Sequence, residues 1–514
     1  MTHAPYFITT PIYYVNDKPH IGHAYTTVIC DIIARFARLD GRDVCFLTGT
    51  DEHGLKVQQS AEKAGMDPLA FVEPGSNKFK ELFQALNVNF DTFIRTTEAH
   101  HKRAAQHLWQ VIADKGLIYK DSYRGWYSVR DECYYAESEL VDGMAPTGAP
   151  VEWIEEESYF FKLSAFEKPL LAYYQAHPDF IQPESRRNEV IRFVESGLRD
   201  LSISRQKLTW GIPVPGDDTH VMYVWFDALT NYISALGYPE EMSKFKKFWP
   251  TALHIVGKDI LRFHAVYWPA MLMAAGIEPP QKIFAHGFWT REGQKMSKSL
   301  GNGLDPYDLI NDFSVDATRF FMAREVALGQ DGDYSRESFI QLTNSHLAND
   351  LGNLAQRVLS MIYKNCEGQL PTHQSFTEED QALLSAAKRL CHQVRPLVLT
   401  DQAIQKYVES VWTVIRHANQ YVDGQAPWAL RKTDISRMQT VLYVLAEVLR
   451  YVAILIQPLM PESAAGILGQ LAVEKGQRTF AFLETEHALK PGTPIVKPVG
   501  LFPRFSKEED ADAG

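Results

Sequence analysis

The chain has 514 residues, with 52 Lys and Arg against 63 Asp and Glu and a formal charge of −11. That length suits about three domains. The 45% apolar and 12% aromatic content supplies large cores, which excludes a disordered chain or a small disulfide-stapled scaffold. The acidic balance argues against a generic DNA-coating protein, whose footprint is basic. The excess has an address. Residues 121–157 hold ten acids and two arginines, and 507–514 hold four acids and one lysine. The rest of the chain is neutral, so a local RNA surface elsewhere stays open.

Five cysteines, Cys30, Cys45, Cys133, Cys366 and Cys391, are scattered with no C-x-x-C pair. That usage favours a reducing compartment and gives no zinc-knuckle spacing. The first residues show neither a signal-peptide nor a transit-peptide pattern. The longest apolar run, around Tyr451–Ile456, is broken by Arg450 and Gln457, short of the roughly 18 residues of a membrane span. The expectation is a soluble, cytoplasmic protein that does not enter membranes.

In chain order, the first elements alternate strand and helix. Tyr6–Thr10 is a short β-rich run. Ile21 to Leu39 is helical, with Ile21, Tyr25, Val28, Ile29, Ile32, Phe36 and Leu39 on one face. Asp43–Thr48 is a second strand, and a helix follows from Gly54. Residues from about 118 to 215 break the alternation and are rich in Tyr, Trp, Gly and acids, which reads as an inserted domain rather than a long loop. The pattern then resumes with strands at Val221–Phe226, Leu253–Val256 and Ile283–Ala285. Such alternation predicts an α/β fold, a doubly wound parallel sheet split by the insert. From about 345 the text is helical throughout. Three stripes, Leu347 to Met361, Ile404 to Ile415 and Met438 to Val452, predict an α-helical bundle.

Polar motifs follow the predicted strands: Pro11–Tyr14 and Pro19–His23, then Gly49–Gly54, Trp225 with Asp227, Gly257–Asp259, and His286–Gly287. Open α/β sheets bind ligands at the carboxyl ends of their strands, so these motifs converge on one composite pocket. His20, Gly22 and His23 open the long helix. Its N-terminus favours an anion, Gly22 lets a ring or phosphate approach, and the two histidines share a face. Lys295-Met296-Ser297-Lys298-Ser299 lies in a polar, Gly-bearing loop, and two lysines with hydroxyls between them suit a polyphosphate leaving group. Taken singly, each motif also reads as a capped helix or a solvated loop.

His-Ile-Gly-His at 20–23 together with Lys-Met-Ser-Lys-Ser at 295–299 resembles the signature pair of the class I aminoacyl-tRNA synthetases. Thr9–Tyr14, Thr50–Gly54, Tyr223–Ala228 and Gln425–Trp428 look like the methionyl-tRNA synthetase family within that class. The resemblance covers essentially the whole chain. It implies a catalytic domain of Rossmann type in two halves (1–117 and 216–287), a connective insert (118–215), a Lys-Met-Ser-Lys-Ser and stem-contact region (288–344), an anticodon-binding bundle (345–506) and an acidic tail (507–514). The implied reaction activates methionine with ATP and transfers it to tRNA(Met), initiator tRNA included, with Mg²⁺ carried by the ATP phosphates.

Residue roles follow from the same resemblance. His20, His23, Lys295 and Lys298 are the implied catalytic set. ATP is implied to meet His20, Gly22, His23, Gly257, Asp259, His286 and Lys298. Asp51 would hold the substrate ammonium. The side chain of methionine would lie among Ile12, Tyr14, Trp225, Ala228, Leu229, Tyr232, Ile260 and His264, where a thioether gains from aromatic neighbours. Asn353, Arg357, Pro427 and Trp428 resemble anticodon readers, with Trp428 as a stacking plane. Two departures stand out. The insert holds only Cys133, which implies no zinc, and no further dimerisation module follows the acidic tail, which implies a monomer. Other class I synthetases are less suited: the isoleucyl, valyl and leucyl enzymes need a larger insert, and a cysteinyl enzyme needs zinc ligands. A nucleotidyltransferase-like or tRNA-binding protein that has lost aminoacylation is the alternative from another class, and the two intact signature motifs argue against it.

Overall fold

The computed structural model describes residues 4–16, 18–206, 208–296 and 301–506, so Lys298 and the acidic tail lie outside the described residues. A parallel sheet forms the centre. Its strands run in the order Tyr13–Tyr14, Val44–Asp51, Tyr6–Thr9, Ala252–Gly257, Lys282–His286 and Ile181–Gln182, with Thr92–Arg95 also paired to Val44–Asp51. Phe7 pairs with Cys45 on one side and Ala252 on the other. The strand Tyr6–Thr9 therefore joins the two halves of the sheet, and the order reverses there. Such a switch point opens a crevice at the carboxyl ends of the strands.

The long helix runs Ile21–Leu39, as its periodicity predicts. Its cap is made by the histidines themselves. His20 Nδ1 accepts from the Gly22 N–H at 3.1 Å, and His23 Nδ1 accepts from the His20 N–H at 3.2 Å. Two otherwise unsatisfied backbone donors of the first turn are thus paired by side chains in a reciprocal box.

The expected strand Val221–Phe226 is corrected. Only Asp217–Met222 is extended, and it belongs to a small antiparallel sheet with Ser204–Arg205 and Pro213–Val214. Helix Val224–Ser234 begins directly after Tyr223, and every one of its residues is buried. A short apolar run reads alike as a buried strand or a buried helix, so periodicity does not separate the two. Three short strands of the central sheet went unread, Thr92–Arg95, Ile181–Gln182 and Tyr13–Tyr14. The second lies within 118–215 yet pairs in parallel with Lys282–His286 at the sheet's margin. The remainder of that segment is built on a four-stranded antiparallel sheet, in which Ile118–Ser128 pairs along its length with Glu152–Phe161.

Beyond the sheet, helices Glu378–Leu399, Ile404–Gln425, Ile435–Ile456 and Pro461–Gln470 form the bundle. The stripe from Leu347 to Met361 spans a wider-wound π-helical turn, Thr343–Gly352, and then helix Asn353–Asn365. The apolar stretch around Tyr451 is longer than the sequence suggests. Helix Ile435–Ile456 is 22 residues long and apolar enough to cross a membrane by length and composition, with 94% of its apolar window buried in the protein. Arg450, which seemed to interrupt the run, is buried beside Glu447 on its own helix and forms an ion pair with it. One apolar core runs unbroken from Tyr6, Ile8 and the Ile21–Leu39 helix into this bundle. A second core joins the sheet's other face to the inserted segment.

Candidate active site

The carboxyl ends of the strands carry the site. The rings of His20 and His23 lie 3.7 Å apart, centroid to centroid. His23 is wedged between Tyr13 at 4.8 Å and Phe79 at 5.2 Å. Burial, and then the neighbouring His20, push its pKa well below the ordinary imidazole range. Because its Nδ1 accepts a backbone N–H, the proton of the neutral ring sits on Nε2. The helix cap thereby turns His23 into a fixed hydrogen-bond donor. Gly22 lies close against the His20 ring: a Cβ there would approach His20 Cε1 to 3.0 Å.

His286 joins the same helix turn. The Thr26 hydroxyl lies 2.8 Å from His286 Nε2 and 3.0 Å from the Gly22 carbonyl. His286 Nδ1 faces the Gly287 carbonyl at 2.8 Å, and burial lowers the imidazole to about 4, so it is neutral. Gly257 stands opposite. A Cβ there would fall 2.5 Å from Asp259 Oδ1 and 3.9 Å from His286 Cε1, so only glycine leaves that carboxylate its place. Asp259 is exposed to the crevice, with the charges of Lys258 and Lys295 nearby. Lys295 sits on a two-residue strand paired to Trp289–Arg291, and its carbonyl accepts from Asn302 Nδ2 at 3.2 Å. The lysine loop therefore springs from a short ribbon beside Asp259.

The residues expected to line an amino-acid pocket lie in and around the second core. Ile12, Tyr14, Trp225, Leu229, Tyr232 and Ile260 all belong to one apolar cluster, and Ala228 is buried on the same helix as Trp225. His264 Nδ1 faces the Ile260 carbonyl at 2.9 Å, which leaves Nε2 to accept from the Tyr232 hydroxyl at 2.7 Å. Burial lowers His264 to about 4. Asp51 ends its strand in register with Tyr14. It is buried, and its Oδ1 has no hydrogen-bond partner among the described residues. Burial, then the neighbouring Asp227 and Glu132, raise its pKa well above the usual carboxylate range.

Several contacts around these residues escape a sequence reading. Phe263 stacks flat on Trp225 at 3.8 Å, and His254 stacks on Tyr232 at 4.0 Å. Asp227 is gripped by two histidines, His53 Nδ1 at 2.6 Å and His101 Nε2 at 2.7 Å. Burial pushes this carboxyl up, but the two imidazoles outweigh it and hold it at about 2. Trp210 Nε1 donates to the Glu52 carbonyl at 2.6 Å. These partners are up to 174 residues apart in sequence, and no local spacing announces them.

In the bundle, Arg357 lies over the Trp428 ring at 5.2 Å and donates to Asp423 at 2.6 Å. Trp428 is 45% exposed, Asn353 is exposed one turn before Arg357, and Pro427 is buried at the first position of its helix. The structure thus brings the indole and the guanidinium together at the bundle surface. Among the described residues no group of three His, Cys, Asp or Glu is placed to hold a metal.

Comparison with known proteins gives these positions a context. A family model described as tRNA synthetases class I (M) matches residues 6–152 and 147–359. A second, the anticodon binding domain of methionyl tRNA ligase, matches 370–513. The methionine–tRNA ligase of Mesorhizobium japonicum is 53% identical over all of both chains. That of Rickettsia felis is 53% identical over 97% of this chain and 98% of its own. The solved Mycobacterium tuberculosis methionyl-tRNA synthetase in complex with methionyl-adenylate superposes with a TM-score of 0.95 at 52% identity, covering 98% of this chain and 100% of that one. Its ligand-free form superposes at 0.89. The chain belongs to the methionine–tRNA ligases, aminoacyl-tRNA synthetases of class I.

Proposed function

We propose that the crevice activates L-methionine in two zones that meet at His20 and His23. The carboxylate of methionine attacks the α-phosphate in line, and pyrophosphate leaves. Little covalent chemistry is asked of the protein, so positioned charge and donors carry the step. His23 donates from Nε2, with His20 beside it. Lys295 and Lys298 take the departing pyrophosphate, Asp259 accepts from ribose hydroxyls, and Gly22, Gly257 and His286 shape the nucleotide floor. Mg²⁺ arrives with ATP. Asp51 holds the ammonium, and the pocket from Ile12 to His264 holds the thioether. The methionyl group then moves to tRNA(Met), the initiator included, whose anticodon meets Asn353, Arg357, Pro427 and Trp428. The segments bounded at 117, 215, 287, 344 and 506 are the working units of a cytoplasmic monomer without structural zinc. Five free, buried cysteines support the reducing compartment.

The observation that carries this reading is the pairing of a tautomer-fixing histidine cap with a buried Asp51 whose Oδ1 has no partner among the described residues, at one sheet edge. Methionine-dependent ATP–pyrophosphate exchange tests it. Exchange driven by another amino acid and not by methionine overturns the pocket assignment.

Two results separate the parts. Trp428→Ala is expected to lower tRNA charging by about 10-fold or more, since stacking on an aromatic plane is worth about 1–3 kcal/mol per base, and to spare pyrophosphate exchange. A matching fall in both activities would make Trp428 a packing residue instead. For pH, the sign follows from Asp51. Its carboxylate attracts the ammonium, and its pKa lies above that of an ordinary aspartate. Acidification therefore protonates it early, and KM for methionine rises before a normal carboxylate would titrate. A KM that stays flat through the weakly acidic range refutes this.

A further inference from the structure

The amino-acid pocket holds a second carboxylate, brought by the inserted segment. Glu132 lies between strands Ile118–Ser128 and Cys133–Tyr135, with φ at 48°, a conformation that glutamate seldom adopts. It is 1% exposed, and neither carboxylate oxygen has a hydrogen-bond partner among the described residues. Its backbone is pinned, because the Tyr223 hydroxyl donates to its carbonyl at 2.7 Å. Its side chain reaches the loop that follows Asp51: a Cβ on Gly54 would fall 2.7 Å from Glu132 Oε1. The charge of Glu132 is close enough to disfavour the ionised form of Asp51, burial raises the pKa of Glu132 itself, and Tyr14 stands beside both.

The charges of Lys56 and Arg205 favour ionised Glu132 from a distance, but both side chains make their contacts with other groups. Lys56 lies over the Tyr14 ring at 5.1 Å and donates to the Arg130 carbonyl at 3.3 Å. Arg205 pairs with Glu156 at 2.8 Å and covers Tyr127 at 4.1 Å. Asp227 is already hydrogen-bonded to two histidines. Two buried carboxylates, Asp51 and Glu132, are left facing one pocket with no cation in contact among the described residues. Buried unpaired charge is costly, and an ammonium with three donors is the group that meets two acceptors at once.

We propose that Glu132 is a specificity-determining residue that accepts from the α-ammonium of the amino acid opposite Asp51, so that the inserted segment completes the methionine site. This rests on Asp51 being the ammonium carboxylate. The test compares L-methioninol, which keeps the ammonium and lacks the carboxylate, with 4-(methylthio)butan-1-ol, which lacks the ammonium. Both are measured as inhibitors of pyrophosphate exchange in the full chain, in wild type, Glu132→Gln and Asp51→Asn. Glu132→Gln is expected to weaken methioninol by about 10-fold or more, as for loss of a charged hydrogen bond, with the butanol and KM for ATP unchanged. Wild-type methioninol inhibition in Glu132→Gln, alongside a loss in Asp51→Asn, overturns the role of Glu132 and leaves Asp51 standing. Unchanged inhibition in both variants overturns the Asp51 assignment as well. Equal weakening of both inhibitors in Glu132→Gln overturns the proposal in favour of packing.

Discussion

His23→Ala is expected to slow methionine-dependent pyrophosphate exchange by about 100-fold or more, the scale of losing one preorganised donor to a developing phosphate charge. The reasoning begins with the cap. His23 Nδ1 is committed to the His20 N–H, so the ring cannot turn and its Nε2 proton points one way. Its depressed pKa keeps the ring neutral, so it acts by donating and not by charge. Alanine removes the donor and one half of the capping box, and the second loss costs only about 1 kcal/mol. His23→Gln separates the two effects, because glutamine at this position restores the reach-back to the cap. Exchange rates and thermal melting are measured on both variants. Slow exchange with a normal melting temperature in the glutamine variant supports the assignment, and wild-type exchange in the alanine variant ends it.

Arg319→Met is expected to destabilise the protein by about 3–5 kcal/mol, the usual result of stranding one partner of a buried ion pair. Arg319 has no exposed surface. Its guanidinium donates to Asp31 Oδ2 at 2.7 Å, to the carbonyls of Pro458 at 2.8 Å and Leu459 at 3.1 Å, and to the Leu86 carbonyl at 3.1 Å. One side chain thus ties helix Ile21–Leu39 to the end of helix Ile435–Ile456. Methionine fills the space but leaves Asp31 and three carbonyls short of a donor. A thermal melt reads the loss directly. Replacing Asp31 with leucine in the same chain is expected to recover part of it, since Arg35, the other partner of Asp31, is half-buried and can turn to solvent. A single variant that melts with the wild type would show that the arginine is not a structural tie.

Much of the layout was legible because it is written at short range. The face from Ile21 to Leu39 repeats every turn, and the helix spans those residues. Val221–Phe226 failed because six apolar residues carry no period, and the structure splits them between a strand end and a buried helix. The run before Ile456 failed differently. Arg450 looks like an interruption only until Glu447 is seen beside it. Trp225, Tyr232 and Asp227 could be named from motifs, but Phe263, His254 and His101 meet them, and Glu132 meets Gly54, through contacts that no motif spacing records.

By itself the sequence determined the class of fold, the order of its parts and the identities of the signature side chains, because periodicity and motif strings are local properties of the chain. Only the tertiary structure decided how those side chains behave. The tautomer of His23 is set by a backbone N–H three residues earlier, once the helix has closed. The ionisation of Asp51 depends on Asp227 and Glu132 meeting it in a buried pocket. Folding brings distant charges into a low dielectric, where their mutual distances, and not their places in the sequence, set their energies.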